Sequence, residues 1–115
     1  MYEYRFLVTR VIDGDTVQGL ADLGFKVSVE LKIRLADVDT PEIFRPKSEA
    51  ERELGYKAKE FVENQILNKE VILKTEKDKT GKYGRYIGHL FLKEDNTSLN
   101  QKLIENKLTK DDVQV

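Results

Sequence analysis

Ten residues in the first third of the chain alternate without a break. Val27, Val29, Leu31, Ile33 and Leu35 are apolar, and Lys26, Ser28, Glu30, Lys32 and Arg34 separate them. A period of two is the mark of a β-strand with one buried face, because successive side chains point to opposite sides. A helix would scatter the same residues around its circumference. The alternation places Arg34 on the polar face, away from the core. The strand then runs directly into Arg34-Leu35-Ala36-Asp37-Val38-Asp39-Thr40-Pro41-Glu42, where a guanidinium, three carboxylates, a hydroxyl and a proline share nine residues.

The rest of the pattern builds around that strand. A β-rich run with Phe6, Val8, Val11 and Ile12 ends at Asp13-Gly14, a turn signal. Residues 16–23 read as a second strand, turned by Gly24. Pro41 and Pro46 bracket a loop. Leu54, Ala58, Phe61, Val62 and Ile66 recur at helical spacing. Ser48 with Glu51 is a capping-box candidate, and Gly55 is expected to delay the helix start. Val71, Leu73 and Thr75 mark a fourth strand, Thr80-Gly81 a turn, and residues 86–92 a fifth strand. Ser98 with Gln101 opens a short helix with Leu99, Leu103, Ile104 and Leu108 apolar, and the polar residues 109–115 are expected to fray. The order is three strands, helix, two strands, helix. It predicts an α+β, mainly β fold: a five-stranded OB-type Greek-key barrel, with a helix between strands 3 and 4 and a C-terminal helix. The expected organisation is one domain over residues 1–115.

Hydrophobic residues at 39% and charged residues at 36% suit a small globular chain. The absence of cysteine excludes disulfides and thiolate metal sites. No apolar run approaches the roughly 18 residues of a membrane span. The opening Met1-Tyr2-Glu3-Tyr4-Arg5 is not a secretory leader, so a cytoplasmic location is expected, or secretion if a leader has been trimmed. A net charge of −1 speaks mildly against nucleic-acid binding through bulk electrostatics. The distribution says more. Residues 1–42 carry 8 acidic and 5 basic groups, and residues 69–93 carry 3 acidic and 7 basic groups. That split suits a cation site facing a phosphate-gripping segment.

Asp15, Asp39 and Glu42 are the carboxylates of interest. Oxygen-only ligands favour Ca²⁺ or Mg²⁺, and a chain with one histidine and no cysteine offers no zinc site. A hard cation held there would polarise a phosphate and lower the pKa of a bound water. Glu42, just past a Thr-Pro turn, suits the general base that orients that water. Taken alone, Asp13-Gly14-Asp15 is more commonly a simple turn. Arg34 and Arg85 are candidates for clamping the scissile phosphate, since a guanidinium matches two phosphate oxygens. Beside Arg85, Gly84 permits an unusual backbone angle, Tyr83 can stack on a base, and Lys82 adds a point charge. His89 reads as structural or surface, with no evident partner. Together these groups describe a metal-dependent phosphodiesterase.

Asp13-Gly14-Asp15-Thr16, Val38-Asp39-Thr40-Pro41-Glu42 and Lys82-Tyr83-Gly84-Arg85, in this order and spacing, resemble the thermonuclease (staphylococcal nuclease-like) family over about residues 5–110. The resemblance implies an OB barrel with helices and Ca²⁺ as cofactor. It implies hydrolysis of single-stranded or denatured DNA and RNA to leave 3′-phosphate ends. Asp15 and Asp39 would correspond to side-chain calcium ligands and Thr40 to a backbone-carbonyl ligand. Glu42 would be the general base, Arg34 and Arg85 the phosphate-binding arginines, and Lys82 and Tyr83 contacts to a neighbouring phosphate. A monomer with no membrane association is expected. Asp37 departs from the family in adding negative charge near the metal site, and Gly81 in loosening the following loop. The segment after Leu108 has neither a third helix nor the tyrosines that pack on a substrate base, so a weaker grip is expected. The hairpin near residues 22–26 is a few residues longer. The alternative is a non-catalytic OB module that binds single-stranded nucleic acid or a partner protein. Near-neutral charge favours it, while clustered carboxylates, which repel phosphate without a metal, disfavour it.

Overall fold

The computed structural model describes residues 2–80 and 85–114. It contains β1 (Tyr2–Asp13), β2 (Thr16–Asp22), β3 (Ser28–Leu35), α1 (Glu49–Ile66), β4 (Glu70–Thr80), β5 (Tyr86–Phe91), α2 (Leu99–Glu105) and a short 3₁₀ turn (Lys110–Asp112). The strands close into a barrel in the order β1-β2-β3-β5-β4, with β4 returning to β1. All neighbours are antiparallel except β3 and β5, which run parallel. This is the α+β five-stranded barrel with two helices that the element order predicts.

β1 breaks the simple alternation in a useful way. Its pairing with β2 shifts between Val8 and Arg10 and again between Val11 and Asp13. The first irregularity lets Val8 and Val11, three residues apart, both point inward. The second falls immediately before the Asp13-Gly14 turn, a common place for a bulge that re-aims side chains. The core gathers Phe6, Val17, Ile33, Leu35, Leu73 and Leu90 from the strands with Ala58, Val62 and Ile66 from α1 and Leu99 and Leu103 from α2.

β3 fulfils its period-two pattern only in its second half. Ile33 and Leu35 are fully buried, but Val27 is 50% exposed and Val29 37%. The reason lies in the pairing. Among the described residues, β5 meets β3 at Ile33, Arg34 and Leu35, and the earlier residues of β3 pair with β2. The β2–β3 hairpin therefore projects past the closed barrel, turning through Gly24, Phe25 and Lys26 at positive φ. Phe25 at its tip is wholly exposed.

α1 starts at Glu49, capped by Ser48, whose side chain accepts from the Glu51 N–H. Gly55 does not delay it, contrary to expectation. A methyl group at Gly55 would lie 2.4 Å from Ile43 Cγ2 and 2.8 Å from the Pro41 carbonyl oxygen. The glycine lies inside the helix because the preceding loop packs directly on it. On α2 the buried positions are Leu99, Asn100 and Leu103, while the apolar Ile104 is exposed. Asn100 accepts from the Leu90 N–H at 3.2 Å and donates to the carbonyls of Gly88 at 3.1 Å and Ala36 at 2.8 Å. Residues 109–113 are not frayed. Thr109 and Asp112 cap each other around the 3₁₀ turn, and the Lys110 N–H donates to the Asp39 carbonyl at 2.9 Å. Among the described residues no helix is long and apolar enough to cross a membrane.

Candidate active site

The ends of three strands meet at one rim of the barrel. Thr16 opens β2 directly opposite Arg34 near the end of β3. Arg34 in turn faces Ile87 of β5, two residues past Arg85. Barrel closure thus brings Asp15, Arg34 and Arg85 together from positions far apart in the chain. Gly14 lets the β1–β2 turn approach closely, since a methyl group there would lie 2.8 Å from both the Ala58 Cβ and the Thr40 Cγ2.

Arg34 is the hub. Its Nη2 meets the Asp39 Oδ1 and lies 3.4 Å from the Asp15 Oδ2. Its Nη1 donates to the carbonyls of Leu35 at 2.6 Å and Val38 at 2.7 Å. The guanidinium therefore folds back over its own loop instead of projecting freely from the polar face of the strand. Asp37 takes a left-handed conformation, φ 62°, at the centre of this turn. Its carboxylate reaches His89 on β5, with Oδ2 3.5 Å from Nε2. His89 thus has a partner that sequence reasoning did not find, and the Asp37 charge is directed to β5.

Asp15 is the most enclosed acid of the group. It accepts from the Thr40 N–H at 3.0 Å and the Thr16 hydroxyl at 3.2 Å. The Arg85 Nη1 donates to the same Thr16 hydroxyl at 3.4 Å. Arg85, Thr16, Asp15, Arg34 and Asp39 form one continuous polar chain across the rim. Burial works to raise the pKa of Asp15. The Asp13 hydrogen bond, the Arg34 charge, the Thr40 N–H and the Thr16 hydroxyl outweigh it and hold Asp15 below its ordinary value. Asp13 shows the converse. Burial, then the hydrogen bond and charge of Asp15, push it up to about 7. Of the two, Asp13 is the one pushed toward the protonated form.

Asp13 is the neighbour of Asp15 that the local pattern concealed, because an Asp-Gly pair reads first as a turn. The signal was available in the second aspartate two residues on. Glu42 lies on the loop leading from Asp39 to α1, with its N–H held by Glu51. Lys82 and Tyr83, like Gly81 and Gly84, lie outside the described residues.

The donor chemistry suits a hard cation. Two carboxylates, Asp15 and Asp39, converge on a single positive nitrogen. Among the described residues no three acid or histidine side chains are grouped closely enough to hold a metal ion. A cation here would therefore draw its further ligands from the backbone and from water, a coordination usual for Ca²⁺ or Mg²⁺.

The staphylococcal nuclease homologue family model matches residues 32–111, which hold Arg34, Asp39, Thr40, Glu42 and Arg85. An uncharacterized protein of Methanocaldococcus jannaschii is 39% identical, over 84% of this chain and 53% of its own length. The thermonuclease of Staphylococcus hyicus is 31% identical, over 94% of this chain and 59% of its own. That of Staphylococcus intermedius is 32% identical, over 91% and 58%. The chain thus spans a little over half the length of these relatives.

Proposed function

Starting from the chain's membership of the staphylococcal nuclease homologue family, we propose that it is a calcium-dependent nuclease acting on single-stranded or denatured DNA and RNA, as a monomer. The supporting observation is the polar chain across the barrel rim, in which two guanidinium groups and two carboxylates are linked through Thr16 and Arg34. Simple strand binding has no use for a buried ionised aspartate beside the phosphate-gripping arginines.

In this reading Asp15, Asp39 and the Thr40 carbonyl hold Ca²⁺. When bound, Ca²⁺ supplies charge that offsets the phosphate and acidifies water. The guanidinium of Arg34, released from two aspartates that would then face the cation, would bind a non-bridging phosphate oxygen, with Arg85 on a second. Both oxygens gain negative charge as phosphorus becomes five-coordinate, so the two arginines bind the transition state more tightly than the ground state. Glu42 takes a proton from the attacking water. The new P–O bond forms as the bond to the 5′ oxygen breaks. That oxygen leaves with a proton taken from solvent water, and the phosphate stays on the 3′ end.

The test is cleavage of heat-denatured DNA with Ca²⁺, against Mg²⁺ alone and an EGTA control. Ca²⁺-dependent products with 3′-phosphate ends are expected. Glu42→Gln should lower kcat by on the order of 10²-fold. A folded protein that retains single strands without cutting them would overturn the nuclease reading in favour of a binding module.

A further inference from the structure

The first turn of α1 contains an incomplete capping box. Ser48 accepts from the Glu51 N–H at 3.1 Å, which is the usual first arm. In a complete box the glutamate turns back to the N–H of the cap residue itself. Here it does not. Glu51 Oε2 accepts from the Lys47 N–H at 3.0 Å, and Oε1 accepts from the Glu42 N–H at 3.3 Å. One carboxylate therefore spans both ends of the loop that leaves the candidate active site. Between those ends Ile43 is buried at 7% exposure, against the face of α1 that Gly55 leaves open. Phe44 is 67% exposed.

We infer that Glu51 is a positioning residue for the general base, an assignment that rests on the nuclease reading of Glu42. The physical argument has three parts. A loop residue whose backbone is free to move does not hold a carboxylate at fixed range from a water, and misplacement by about 1 Å can cost 10²-fold in rate. The two Glu51 oxygens fix the loop at Glu42 and at Lys47, so the intervening residues cannot swing as a unit. Charge-assisted bonds to backbone N–H groups are stronger than neutral ones, and an acid in the first turn of a helix is further favoured by the helix dipole. α1 thus transmits its own rigidity, anchored in the core through Ala58, Val62 and Ile66, to Glu42.

The test compares three variants on single-stranded DNA with Ca²⁺. Glu51→Gln keeps the shape but opposes an amide NH₂ to one of the backbone N–H groups, and Glu51→Ala removes both acceptors. Ser48→Ala weakens the same helix end while leaving both loop bonds in place. Both Glu51 variants should lose about tenfold in kcat with KM within twofold. Ser48→Ala should lower Tm and keep kcat. In a Glu42→Gln background, Glu51→Ala should cost nothing more, because it acts only through Glu42. A Glu51→Ala enzyme at wild-type kcat, or one whose loss persists unchanged in the Glu42→Gln background, overturns the inference. Amide exchange separates this from the parent reading. The Glu42 and Lys47 amides should be protected in the wild type and Ser48→Ala and unprotected in Glu51→Ala, whether or not the protein cleaves. Unprotected wild-type amides overturn the clamp. Protected amides in a protein that never cleaves overturn Glu42 as the base, and the positioning role with it.

Discussion

Asp13 and Asp15 are two residues apart, yet their environments drive them in opposite directions. Asp13 is raised to about 7, by burial and then by Asp15, and Asp15 is held low despite burial by its donors. The consequence for stability has a definite sign. A carboxyl that binds its proton more tightly in the folded state stabilises the fold in acid. That contribution is complete below the ordinary value of 3.8 and is lost as pH rises through about 7. Asp15 contributes the other way, above the ordinary carboxylate range, and loses its contribution as pH falls. In calcium-free protein the wild type should therefore lose stability relative to Asp13→Asn as pH rises from about 4 to about 7, with the two running parallel above about pH 8. Thermal melts in EGTA would show this, and a constant gap across that window would refute it. Arg34 carries a second burden at this scale. It is the donor to two backbone carbonyls as well as the partner of two aspartates, so it builds the loop it also serves.

At the scale of elements, α1 is both a wall of the core and the support of the loop above it. Gly55 is where those roles meet. Gly55→Ala gains roughly 1 kcal/mol of helix propensity, but drives a methyl group into Ile43 and the Pro41 carbonyl, a clash that typically costs about 1–3 kcal/mol. The expected net result is a lower Tm together with a lower kcat, since Pro41 and Ile43 flank Glu42. Circular-dichroism melts and initial rates would check both. A variant more stable than wild type would mean that the loop yields freely. The 3₁₀ turn after Leu108 works similarly from the other side. Its Lys110 N–H holds the carbonyl of Asp39 and so ties a segment expected to fray to the candidate metal loop.

At the scale of the whole molecule, the site exists because the barrel closes. The parallel β3–β5 contact is only three pairs long, and Asn100 reinforces its far end. From α2 it binds Ala36, just after β3, and both Gly88 and Leu90 of β5. Asn100→Ala would leave three backbone groups without their side-chain partner. The expected cost is about 3 kcal/mol in urea unfolding, with activity lost before the fold because Arg34 and Arg85 lie across that same seam. A cost under about 0.5 kcal/mol would show that water replaces the amide.

What depends on near neighbours in the chain is legible in the residues alone. The alternation at Leu31, Ile33 and Leu35, the helical spacing of Ala58, Val62 and Ile66, and the serine caps at Ser48 and Ser98 are all local, and all are present. The element order led to the barrel, and three short motifs led to the family. How the polar groups are used depends instead on contacts made by folding. Glu51 looked like an ordinary capping residue. Asp13 looked like a turn, His89 had no visible partner, and Val29 looked buried. Each reading turned on a residue that lies elsewhere in the chain or on a strand edge left uncovered. Thr40 meets Asp15 across 25 positions, Asn100 meets Ala36 across 64, and Arg85 meets Thr16 across 69. Burial, proton affinity and hydrogen-bond direction are set by those contacts, and no local pattern in the chain contains them.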